Sequence, residues 1–141
     1  MIIDASVAAK WFLKGEEYED ESLSLRQEYE AGEINLSAPS LISYEVCNAI
    51  WKRKDIGSEA AAELAELASE YLDRIALSPG PESYRRAVSN ARVWDLTVYD
   101  SSYATMSEEL KRPLITADDD LRARLAKTSI PVIFLADYKA S

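Results

Sequence analysis

Met1-Ile2-Ile3-Asp4 is an apolar run closed by a carboxylate, the pattern of a short buried strand that ends at a cleft. A second such run, Pro113 to Thr116, stands just before Asp118-Asp119-Asp120. Working outward from the first, Ala5 to Lys14 carries Val7, Ala8, Trp11 and Phe12 at helical spacing as far as Gly15. Glu16 to Ala31 reads as a charged, solvated helix closed by Gly32. Ile34 to Ala38 is a second strand, and Pro39 precedes a helix from Ser40 to Lys54. An alanine-rich helix over Ser58 to Leu72 leads to a third strand at Arg74 to Ser78. Pro79-Gly80-Pro81 is a hard boundary.

Beyond that boundary, Glu82 to Val93 is predicted helical, and Thr97 caps a helix that reaches Leu110. After the strand Pro113 to Thr116, a helix begins at Asp119 or Asp120 and ends near Lys127. Val132 to Leu135 is the last strand, and residues 137–141 are expected to fray. Strands separated by helical segments predict an α/β sandwich with a mainly parallel sheet. No linker divides the chain, so a single domain over 1–141 is expected. In open parallel sheets the site lies beyond the carboxyl ends of the strands. Asp4 and Asp118 both fall there.

Composition narrows the chemistry. The chain has 141 residues, enough for one domain with a real core. It contains no His and a single Cys, Cys47. This removes imidazole-ligated zinc, Ser-His and Cys-His nucleophiles, and an internal disulfide. No apolar run approaches the ~20 residues that span a bilayer, and the opening residues lack a signal-peptide pattern. A soluble, cytoplasmic protein without a membrane partner is expected. The net charge is −9, which runs against the basic footprint usual for nucleic-acid binders. Bound cations or a basic partner would offset it.

Four acids draw attention, each with a plainer alternative. Asp4 is either a strand-end carboxylate in the crevice or the N-cap of the next helix. Glu45 shares a narrow polar strip with Asn48 and Lys52 on a helix otherwise apolar enough to be largely buried, at about 100° per residue. That strip either lines a pocket or reaches solvent. Asp100 stands three residues after Thr97 and suits a capping box, yet lies on the flank of the stripe Tyr99, Tyr103, Met106 and Leu110. The run Asp118-Asp119-Asp120 supplies one cap and crowds like charges that a cation would relieve. Acids at two strand ends and on two helices form the oxygen-rich set that Mg²⁺ or Mn²⁺ prefers.

These segments together resemble a known family, the PIN domain, and within it the VapC-type toxins of toxin–antitoxin pairs. The resemblance rests on Ile2-Ile3-Asp4-Ala5-Ser6, Tyr44-Glu45-Val46-Cys47-Asn48-Ala49, Leu96-Thr97-Val98-Tyr99-Asp100-Ser101-Ser102-Tyr103 and Pro113-Leu114-Ile115-Thr116-Ala117-Asp118. It implies a five-stranded parallel sheet between helices and a Mg²⁺- or Mn²⁺-dependent endoribonuclease. It carries metal-site and catalytic roles to Asp4, Glu45, Asp100 and Asp118, and supporting polar roles to Ser6, Asn48 and Thr116, with Asp119 as an ambiguous extra acid. It also implies a homodimer and an antitoxin partner whose tail covers the site.

Hydrolysis of an RNA phosphodiester through a water activated by the divalent ion is the expected reaction. Lys10, Lys14, Lys52, Arg53 and Lys54 are the candidate phosphate contacts. Trp11, Phe12 and the segment from Glu19 to Ala31 are the expected partner contacts. Two rivals remain at this stage. An aspartyl-phosphate phosphatase of the haloacid-dehalogenase type also opens on a strand ending in Asp, but wants a second Asp where this chain has Ser6. A non-catalytic acidic module that binds a basic partner is the other.

Overall fold

The computed structural model describes residues 1–141. Ile2 and Ile3 are fully buried and form strand β1 (Ile2–Ile3). It pairs in parallel with β4 (Leu114–Thr116), with Ile2 opposite Leu114 and Ile3 opposite Ile115. On its far side β4 takes β5 (Val132–Phe134), again in parallel. β2 (Ala38–Pro39) pairs with β3 (Ala76–Leu77). A parallel bridge between Ile2 and Ser37 joins the two groups, sealed by Ile3 N–H to Ser37 O at 3.1 Å and Ser37 N–H to Met1 O at 3.0 Å. The order is therefore β3-β2-β1-β4-β5, all parallel. The strands are shorter than the sequence runs: β2 keeps only the end of Ile34 to Ala38 and adds Pro39, β3 keeps Ala76–Leu77, and β4 loses Pro113.

Two groups of helices cover the sheet. The first comprises α1 (Ala5–Ala8), α2 (Glu19–Glu30), α3 (Ile42–Lys52) and α4 (Ser58–Leu72), with α1 on β4, α3 against α1, and α4 against α3. In the second, α6 (Val98–Leu110) packs on β1, β2 and β4, and α5 (Pro81–Trp94) packs on α6. The short α7 (Asp119–Leu125) links β4 to β5. Most buried apolar side chains, from the sheet and from both groups, form one contiguous core, with Ala87, Ala91 and Phe134 outside it.

Several expectations change. The first helix does not run to Lys14: α1 ends at Ala8 and tightens into a 3-10 turn over Ala9–Trp11. This places Trp11 inward, its Nε1–H bonded to Ser22 O at 2.9 Å. The supposedly solvated helix α2 buries Ser22, Leu25 and Glu28. Conversely α3 is not largely buried. Only Ile42, Val46 and Ile50 face the core, while Tyr44 is 85% and Trp51 65% exposed. On its second apolar side Tyr44 and Trp51 are left uncovered, while Cys47 is half-buried beside α4. The end of the chain, expected to fray, is tied down: Tyr138 donates its hydroxyl to Glu28, and Ser141 N–H bonds Glu28 Oε1 at 2.6 Å. A buried carboxylate on α2 needs those donors. No helix is long and apolar enough to cross a membrane.

Candidate active site

Asp4 is both things the sequence allowed. It N-caps α1, accepting from Val7 N–H at 3.3 Å, and it sits buried at the carboxyl end of β1. Ser6 donates its hydroxyl to Asp4 Oδ1 and Thr116 donates to Oδ2, both at 2.5 Å. Those hydroxyls are held in turn, since Ala117 N–H bonds Ser6 Oγ at 2.9 Å and Asp118 N–H bonds Thr116 Oγ1 at 3.0 Å. The ends of β1 and β4 are thus laced together through Asp4. Burial pushes the Asp4 carboxyl up from 3.8 to about 6, against the lowering effect of the two hydroxyls and Val7 N–H, with a further push from Asp118.

Asp118 follows β4 and N-caps α7 through Oδ1, which accepts from Asp120 N–H at 2.9 Å and Leu121 N–H at 3.1 Å. Glu45 lies in the first turn of α3, where an acid also suits the helix dipole. Tyr103 donates its hydroxyl to Glu45 Oε1 at 2.6 Å. Burial raises the Glu45 carboxyl, Tyr103 lowers it, and Asp100 raises it again. Asp100, in the first turn of α6 behind the Thr97 cap, is half-buried. Burial raises it, followed by the charge of Asp118. The acids are linked in pairs: Asp118 acts on Asp4, Asp100 on Glu45, and Asp118 on Asp100, where Arg124 opposes it. None of the ion pairs in the chain involves any of them.

The supporting residues divide. Ser6 and Thr116 both bond Asp4 directly. Asn48 is exposed and lines a groove of about 440 Å³ beside Glu45, together with Ser6, Lys10, Lys52 and Arg53. Asp119 does not join the four: it is exposed and paired with Arg122 at 2.7 Å. Asp120 is likewise paired, with Arg124 at 3.1 Å. Tyr103 was missed, because at its spacing on α6 it reads as core packing, and it is indeed 1% exposed. The available signal was its place one turn beyond Asp100 on the same helix. Burial, then Glu45, pushes its hydroxyl upward, so it stays a donor.

Asp4, Glu45, Asp100 and Asp118 are all hard oxygen donors outside any ion pair, the chemistry Mg²⁺ and Mn²⁺ take, although Asp100 also feels the opposing charge of Arg124. No three of them stand close enough to ligate a single ion directly. Mg²⁺ is usually held by one or two carboxylates and keeps several waters, so the set fits an ion bound partly through water.

With this geometry in hand, the family model named PIN domain matches residues 1–127. The chain belongs to the PIN domain family. Ribonuclease VapC3 of Pyrobaculum aerophilum is 25% identical over 134 residues, a match covering 93% of this chain and 98% of that one. The crystal structure of PAE2754 from Pyrobaculum aerophilum superposes with a TM-score of 0.65 at 26% identity, covering 96% of this chain and 90% of that chain. The matched PIN region contains all four acids together with Tyr103.

Proposed function

We propose that this PIN-domain chain is a Mg²⁺- or Mn²⁺-dependent endoribonuclease acting in the cytoplasm as the toxin of a toxin–antitoxin pair. The observation that carries this reading is that Asp4, Glu45, Asp100 and Asp118, from four separate elements, form no ion pair in the chain while burial raises the carboxyls of Asp4, Glu45 and Asp100. A divalent ion held there would make a water more acidic and would supply positive charge for the phosphate oxygens. The chain's own residues do the rest. Ser6 and Thr116 fix Asp4 in one rotamer, and Tyr103 fixes Glu45. Carboxylates whose affinity for protons is raised by burial are suited to orient a water and take its proton. Lys10 and Lys52 flank Glu45 in the adjoining groove without ion-pair partners, and offer the strand a phosphate path. Arg53 is tied to Asp55 and Glu16, and Lys14 leans on Glu19.

The partner surface is revised. Trp11 and Phe12 pack internally around Tyr71, with ring centroids 5.7 Å and 6.0 Å from it. Tyr44, Trp51 and Leu67 are the uncovered apolar side chains of α3 and α4. Glu59, Glu63, Glu66 and Glu70 on α4 form no ion pairs. A basic, amphipathic antitoxin segment complements that face. Self-pairing as a homodimer belongs to the same reading, supported by the uncovered Val88 and Val93 of α5. Family membership sets the phosphatase rival aside.

The deciding experiment is cleavage of single-stranded RNA in Mg²⁺ or Mn²⁺, repeated in excess EDTA. Metal-dependent cleavage that is lost in Asp118→Asn supports the proposal. Undiminished cleavage in chelator overturns the mechanism. Antitoxin capture without any cleavage would leave the non-catalytic rival standing.

A further inference from the structure

A second concavity, of about 340 Å³, opens between α5, α6 and the ends of β2 and β3. Nothing in the mechanism uses it. Its walls are mostly apolar, and Tyr84 and Tyr99 are among its lining residues, 57% and 65% exposed. One carboxylate is set into it. The Glu109 side chain is only 23% exposed, and Arg86 forms an ion pair with its Oε1 at 3.8 Å, too long for a hydrogen bond. Ser83 donates one hydroxyl shared between the two Glu109 oxygens, at 3.1 Å and 2.9 Å. A carboxylate offers about four acceptor positions, so Glu109, which lines the pocket, keeps acceptors that Ser83 does not use.

The pocket adjoins the acid cluster through two helices. On α6, Tyr99 and Ser102 line the pocket while their neighbours Asp100 and Tyr103 face the cluster. Leu41 lines it one turn before Glu45 on the way into α3. A strand whose phosphate lies at the acids therefore has this pocket beside it.

We propose that the pocket takes one unstacked nucleobase of the RNA strand, guanine by preference, and so sets sequence preference next to the cleaved bond. The proposal rests on the ribonuclease reading of the site. Single-stranded RNA is read by splaying a base out, stacking it on an aromatic ring and bonding its Watson–Crick edge. Tyr99 and Tyr84 supply rings, and Glu109 supplies acceptors only. Guanine is the base whose Watson–Crick edge presents two adjacent donors, the ring N1–H and the 2-amino group. Uracil presents one N–H between two carbonyls, which the Glu109 oxygens repel.

The test uses the full chain in EDTA, so that binding is scored without cleavage. The probes are 2′-O-methyl pentamers of sequence UUGUU, UUIUU (inosine lacks the 2-amino group) and UUUUU. UUGUU is expected to bind about tenfold tighter than UUIUU, the equivalent of one lost hydrogen bond. It should shift the backbone NMR signals of Ser83, Tyr99 and Ser102. Glu109→Gln should erase the preference for guanine, and Tyr99→Ala, at an exposed position, should weaken UUGUU by about tenfold. Equal affinity for the three pentamers, or shifts that avoid the pocket, would overturn the proposal. So would a dimer that buries the pocket and dissociates in Tyr99→Ala. Guanine-selective binding without metal-dependent cleavage would refute the nuclease reading alone. Cleavage indifferent to guanine, with no selective binding, would refute the pocket alone.

Discussion

The Tyr103 hydroxyl reaches across 58 residues of sequence to donate a 2.6 Å hydrogen bond to Glu45 Oε1. This bond couples α6 to α3 over the end of the sheet, and it is the only side-chain hydrogen bond that Glu45 makes in the chain. It favours the charged carboxylate against the burial that disfavours it. Tyr103→Phe keeps the packing and removes the donor. The Glu45 carboxyl is then expected to titrate still higher, and Mn²⁺ affinity to fall about tenfold, as for outer-shell partners of metal ligands generally. Calorimetric titration with Mn²⁺ checks this. Unchanged affinity would mean that Glu45 stands outside the metal site.

Thr116→Val tests the lacing of β1 to β4. The substitution deprives Asp4 Oδ2 of its donor and Asp118 N–H of its acceptor. Leaving such buried groups unmatched costs about 1–3 kcal/mol. Because the lost bond favoured ionised Asp4, the variant's Asp4 carboxyl moves above the native value of about 6. The penalty should be full at about pH 7.5 and smaller at about pH 5, where Asp4 is largely protonated. Urea unfolding in EDTA at the two pH values measures it. A penalty independent of pH would show that the Thr116 bond does not depend on the Asp4 charge.

Much of this was legible in the sequence, for physical reasons. Runs such as Met1-Ile2-Ile3 and Leu114-Ile115-Thr116 are apolar on both faces because helices cover both sides, so strand and burial coincide. Acids at strand ends stood out because an open parallel sheet exposes its carboxyl edge. Contacts between remote segments were not legible. Trp11 and Phe12 read as a partner surface until Tyr71, 59 residues beyond Phe12, supplied their packing. Periodicity on α3 marked Tyr44 and Trp51 as apolar, but it cannot distinguish burial by the chain's own core from a face left for a partner. Asp119 and Asp118 are adjacent in sequence, and only the start of α7 decided which one caps the helix and which one turns out to Arg122.

Lys10 and Lys52 make a prediction about RNA binding that is separate from catalysis. Both line the groove beside Glu45 without an ion-pair partner. Each phosphate contact to a single strand contributes roughly 0.7 to the slope of log affinity against log salt. Replacing both with Ala should weaken binding of a non-cleavable RNA and flatten that slope by about 1.4. Lys14→Ala, whose ammonium leans on Glu19 at 3.7 Å, should change neither. Filter binding across a salt series decides, and an unchanged slope in the double variant would place the RNA elsewhere.

Asp4→Asn separates function from stability at one buried group. Its carboxyl is raised from 3.8 to about 6, so the folded state binds the proton more tightly than the unfolded chain does. Stability from this group is therefore fully present below about pH 4 and lost as the pH rises through about 6. The loss by neutral pH amounts to roughly 3 kcal/mol. Asn is uncharged at every pH and escapes it. Its oxygen can still accept from Ser6 and Val7 N–H, while its amide meets Thr116 Oγ1, which must turn its own hydrogen elsewhere at a cost of about 1 kcal/mol. Without metal, the variant is expected to be about 2 kcal/mol more stable than the parent at neutral pH, and no more stable, or slightly less, at about pH 4. Added Mn²⁺ should raise the melting temperature of the parent and leave the variant unmoved, and RNA cleavage should disappear. Melting curves in EDTA that run parallel across pH would show that Asp4 acts only as the cap of α1. Curves that cross, together with lost Mn²⁺ stabilisation, would tie its burial to the metal site.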